Sequence, residues 1–128
     1  MLASLAVCAG ACLGALGRWG IGTLLNNLFP ALPPGTILAN WLGSFIMGII
    51  MATIALVPNF PAVWRLFIIT GFLGSLTTFS AFAGEMATLL LNGRYVLFAL
   101  GISAHVGGSL IMVFLGMGAI YGAKAIIT

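Results

Sequence analysis

Residues 19–64 contain no Asp, Glu, Lys or Arg, and residues 95–123 contain none either. A water-facing domain carries about 25% charged residues; in this chain of 128 residues they make up 4%, against 62% hydrophobic. A helix that crosses the hydrocarbon core needs about 20 mostly apolar residues. The chain therefore has room for about four membrane spans and no soluble domain.

The helix breakers place the spans. A first helix over about residues 2–25 ends at Asn26-Asn27 and the cluster Pro30, Pro33 and Pro34, because proline cannot continue a helix. A second fills about 35–56, and Pro58-Asn59-Phe60-Pro61 turns the chain. A third covers about 64–91, Asn92-Gly93-Arg94 makes a short connection, and a fourth covers about 95–123. The first segment lacks the basic start of a signal peptide, so it reads as a retained helix in one all-α transmembrane domain spanning 1–128. There is no internal repeat.

The net charge of +3 comes from single, well separated residues, and polyanion binding needs a cluster, so nucleic acid is excluded as a partner. Cys8 and Cys12 have no neighbouring ligands and read as small packing residues. No acidic pair, Ser/His/Asp set or nucleotide loop points to an enzyme. With four spans, Arg65 and Lys124 fall at one end and Arg18 and Arg94 at the other. Orientation follows Lys/Arg asymmetry, and two against two gives none, which predicts insertion both ways and an antiparallel pair. Four helices of this size leave no lumen, so a path at an interface between two copies is the more economical design.

Glycine placement predicts close helix contacts. Gly10 and Gly14, Gly118 and Gly122, and the small pair Ser44 and Gly48 are each four apart. Within a bilayer, small residues drive packing by letting backbones approach.

Polar residues within the spans are costly and usually face the bundle interior or a wet path. Thr36, Asn40 and Ser44 form one stripe on the second helix, and His105 and Ser109 a shorter one on the fourth. Each could simply bond a neighbouring helix; Asn40, with two donors and an acceptor, is the better candidate for function. The third helix crowds Gly71, Gly74, Ser75, Thr77, Thr78 and Ser80 into mid-span. Glycine weakens a helix by about 1 kcal/mol and hydroxyls compete for its backbone, so a broken helix that handles ions is expected there. A kink filled by hydroxyls is the plainer alternative. Phe79 and Phe82 follow; the plain reading is packing or lipid-facing rings, but ring edges are positive and, facing a narrow path, could favour a small anion. Glu85, the one acidic residue, is either functional or a structural ion-pair partner.

At these residues the chain resembles the Fluc (CrcB) family of bacterial fluoride channels over essentially its whole length. The resemblance rests on Gly14-Ala15-Leu16-Gly17-Arg18, on Gly35-Thr36 through Asn40 to Gly43-Ser44-Phe45, and on Gly71 through Ser80 with Phe82 and Glu85. It implies a dual-topology antiparallel homodimer in the inner membrane, with two pores that let fluoride leave the cell passively. By that resemblance Asn40 lines the pore, Phe79 and Phe82 flank the ion path, and Thr78, Ser80 and Ser109 supply hydroxyls along it. The carbonyls of Gly74 and Thr77, from both subunits, would hold a structural sodium ion. Arg18 and Glu85 match residues of the family without a firm role, and His105 has no secure counterpart. The absence of Lys and Arg from the middle of helices two to four agrees with conduction, which needs weak binding. Two rival readings are a proton-coupled exporter of cationic compounds using Glu85 and a scaffold whose polar stripes only join helices.

Overall fold

In a computed structural model describing residues 1–127, four apolar helices are long enough to cross a membrane: Leu2–Leu28, Pro34–Leu56, Ala62–Leu91 and Tyr95–Ile126. We call them the first to fourth spans. Proline sets two of the starts. Pro34 sits in the first turn of the second span, where its missing N–H would be unbonded anyway, and extended Pro61 caps the third. The third span consequently begins at Ala62 rather than near Trp64. The fourth runs past Ala123 to Ile127, since Gly122 weakens but does not stop a helix whose flanks remain apolar. At the turn between these two spans Gly93 is left-handed (φ 68°), and Arg94 and Gly93 donate back to the carbonyls of Leu89 and Leu90.

The third and fourth spans are irregular. Leu66–Leu73 winds as a π-helix, and a single helical turn, Gly74–Leu76, follows. Thr77 (φ −81°, ψ 157°) and Thr78 (φ −148°, ψ 120°) are then extended, before the helix Phe79–Leu91 resumes. The mid-span break expected from the crowd of glycines and hydroxyls is therefore present, at the two β-branched threonines. Thr78 caps the new helix, its Oγ1 accepting from Ala81 N–H at 3.2 Å. In the fourth span a second π-helical bulge, Ser103–Gly107, separates Tyr95–Ile102 from Gly108–Ile127.

The most extensive packing is of the first span on the third and of the second on the fourth, with the first and second also in contact and glycines at the closest approaches. A Cβ on Gly14 would lie 2.9 Å from Leu76 N, and one on Gly10 2.8 Å from Phe72 N. On the other pair, a Cβ on Gly48 would meet Met117 N at 3.0 Å and one on Gly116 would meet Ile49 N at 3.0 Å. Gly118 and Gly122 differ from expectation: a Cβ on either meets nothing within 4 Å. Gly116, two residues earlier and so about 200° round the helix, takes the contact instead. A small apolar cluster of Phe82, Met86 and Leu89 closes the end near the first turn, packed by Leu32, Leu97 and Phe98.

Candidate ion pathway

A break in a membrane helix exposes main-chain groups that must find partners, since no water in the hydrocarbon can supply them. Asn40, about two turns into the second span, supplies them here. Its Oδ1 accepts the Thr78 N–H at 2.8 Å, and its Nδ2 donates to the Thr78 carbonyl at 3.2 Å. The carboxamide thus pairs with an extended residue much as a neighbouring strand would. A second consequence falls on Gly74: the N–H that would close a helical turn onto its carbonyl is turned to Asn40 instead. The carbonyl of Ser75, also freed, accepts from Arg18 Nε at 3.0 Å.

From Asn40 the polar chain runs outward. Its Nδ2 lies 3.1 Å from His105 Nδ1. The His105 ring is only 4% exposed and lies against Phe82, centroids 4.7 Å apart. His105 Nε2 faces Glu85 Oε2 at 3.8 Å, and Thr36 Oγ1 donates to Glu85 Oε1 at 2.7 Å. The stripe of the second span is therefore divided: Thr36 serves Glu85, Asn40 the break, and Ser44 lines a central cavity with Ser109.

That cavity, about 370 Å³, opens between the second, third and fourth spans. Gly74, Thr77, Thr78 and both phenylalanines also line it, and no Lys, Arg, Asp or Glu does. Phe79 and Phe82 meet edge-on, centroids 5.4 Å apart at 61°. Phe82 is 7% exposed, Phe79 78%. Thr78 is shared with a second cleft that holds Arg18, Thr36 and Glu85, and Glu85 is shared with a third that holds Arg94 and Ser80. The structure thus brings Asn40, Thr78, Phe79, Phe82, Ser109, His105, Gly74 and Thr77 to one cavity. It sets Ser80 on the outer cleft, where its hydroxyl lies 3.4 Å from Thr78 Oγ1, so Ser80 and Ser109 line different cavities.

Trp41 escaped the sequence reading. Its Nε1–H donates to the Ala104 carbonyl at 2.8 Å, within the fourth-span bulge. Asn40 therefore reaches both irregular spans, through Thr78 and His105, and the adjacent Trp41 ties the second of them. The only advance signals were a tryptophan beside an asparagine within a span and the glycine pair Gly107-Gly108 two spans further along.

Comparison with known proteins agrees with this architecture. The profile of the family described as CrcB-like protein, Camphor Resistance (CrcB), matches residues 5–117. The chain is 54% identical over 122 residues to the fluoride-specific ion channel FluC of Chromohalobacter salexigens, covering 95% of this chain and 92% of that protein. It is 52% identical over 113 residues to FluC of Tolumonas auensis (88% and 89% covered) and 50% identical over 113 residues to FluC of Pseudomonas aeruginosa (88% and 89%). With its four spans, its broken third helix and this match along most of its length, the chain belongs to the CrcB family.

Proposed function

We propose that this protein is a fluoride-selective channel, not an enzyme, of the bacterial inner membrane, which works as an antiparallel homodimer with two pores. The observation that carries the reading is the break at Thr77-Thr78, held by the Asn40 carboxamide beside two edge-on phenylalanines in a cavity without formal charge. The fluoride-specific channels to which it is about half identical support the same ion.

Fluoride is small and strongly hydrated, so a path has to replace its water with close donors. The hydroxyls of Thr78, Ser80 and Ser109 and the amide of Asn40 are such donors, and the ring edges of Phe79 and Phe82 add a weakly positive wall. Asn40 Nδ2 lies within bonding distance of both the Thr78 carbonyl and His105 Nδ1, so an anion that takes an amide hydrogen displaces one of these contacts. Arg18 and Arg94 stand at the outer clefts, where they attract anions without trapping them in the centre. Glu85, between those clefts, is tied to Thr36.

The dimer follows from the bilayer. The central cavity, with the polar groups of Asn40, Ser44 and Ser109, is open to one side of the chain, and lipid cannot satisfy such groups. A second copy covers them, and the balanced charges favour an antiparallel one. The Gly74 carbonyl, deprived of Thr78 N–H, and the carbonyl of extended Thr77 fit a hard cation; a two-fold axis would supply each twice. Bound there, sodium would offset the carbonyl dipoles of two helix ends. Fluoride efflux from liposomes holding the pure protein, with chloride as control, tests the reading. Rapid fluoride release with little chloride release is expected; no release from an intact dimer refutes it.

A further inference from the structure

We infer that His105 is a positioning residue, and that it holds Asn40 on the break only as the neutral imidazole carrying its proton on Nε2.

One group at this site has a role that cannot be reversed. A main-chain N–H only donates, so the Asn40 atom 2.8 Å from Thr78 N is the carbonyl oxygen. The amide nitrogen is then the atom on the other side, 3.1 Å from His105 Nδ1. That nitrogen has hydrogens and no lone pair to offer, so Nδ1 has to accept. A neutral imidazole that accepts at Nδ1 carries its proton at Nε2, and here Nε2 points at Glu85 Oε2. The Nδ1–H tautomer, or the imidazolium, would set two donors against each other at this distance. Asn40 would then have to turn, and turning it takes both bonds away from Thr78.

The ring is fixed independently. The bulge Ser103–Gly107 carries it inward, and Trp41 ties that bulge through the Ala104 carbonyl at 2.8 Å. Gly108 leaves space for the indole: a Cβ there would lie 2.6 Å from Trp41 Cε2. Phe82 covers one face of the imidazole. Glu85 on the third span is the charged group facing the ring, and from the second span it meets the uncharged Asn40.

The tautomer stands on geometry alone; its importance for flux rests on the channel reading, and the two fail separately. The chain has one histidine, so a protein labelled with 15N-histidine in lipid bilayers gives one imidazole to read by solid-state NMR. At neutral pH, an unprotonated Nδ1 and a protonated Nε2 are expected. Asn40→Asp, which places an acceptor where the amide was, is expected to move a proton onto Nδ1. A protonated Nδ1 in the native protein, or an Asn40→Asp spectrum identical to the native one, overturns the inference whether or not the protein conducts. In efflux assays His105→Leu is expected to lose at least about tenfold in fluoride rate, and His105→Gln, whose carbonyl can accept from Asn40, to recover most of it. Equal loss in both variants, with the dimer intact, also overturns the positioning role.

Discussion

Asn40 commits its whole carboxamide to neighbours: the oxygen to Thr78 N–H, and the nitrogen to the Thr78 carbonyl and His105. Replacing it by leucine would leave two main-chain groups of the break unpaired, at about 1–3 kcal/mol each. Asn40→Leu is therefore expected to lower both thermal stability in detergent and fluoride efflux; unchanged values of both would refute the clamp. Arg18 is a gentler case, because its bond to the Ser75 carbonyl is exposed. Arg18→Met should cost about 1 kcal/mol in stability, and Arg18→Lys should recover little, since lysine has no counterpart of Nε. Denaturant titration of the three proteins checks this. Asn40 was legible in the sequence because a carboxamide in a span is costly wherever it points. Its partners were not, because the residue that bonds it lies in another span and uses main chain, which every residue has.

At the scale of elements, the break was visible beforehand as a concentration of glycine and hydroxyl residues, and Thr78 marks its restart by capping Phe79–Leu91. Thr78→Ala should weaken that cap by about 1 kcal/mol, and Thr78→Ser should retain it; amide hydrogen exchange at residues 80–82 is the measurement, with faster exchange expected for alanine only. The fourth-span bulge was not visible. A π-helical turn has little signature of its own, and here it is held by Trp41 from outside. The small-residue pairs meet another helix of this chain at Gly10, Gly14 and Gly48 but not at Gly118 and Gly122, because spacing identifies a face but not what lies opposite it. Gly116→Ala should accordingly destabilise the chain more than Gly118→Ala. Equal sensitivity in SDS unfolding would put Gly118 at a contact between copies instead.

For the molecule as a whole, composition already required four spans, and their count and order are what the fold has. What no single-chain pattern carried was which spans pack most extensively: first with third and second with fourth, where glycines stand at the closest approaches. The orientation prediction belongs to this scale. Reporters fused at the C-terminus should be found on both sides of the membrane in comparable amounts, and adding two lysines beside Lys124 should drive that end to the cytoplasm. A native protein strongly biased to one side would rule out antiparallel pairing by dual insertion.

The second span is keyed to its neighbours at four heights: Thr36 to Glu85, Asn40 to Thr78, Trp41 to Ala104, and Gly48 to Val113. Such a helix behaves like a key with several cuts. It can neither slide nor rotate without losing more than one of them, so an added or deleted residue between 36 and 48 cannot be absorbed locally. The turns at 57–61 and 92–94 have no comparable set of teeth. The length of this one segment is thus the dimension to which the rest of the protein is cut.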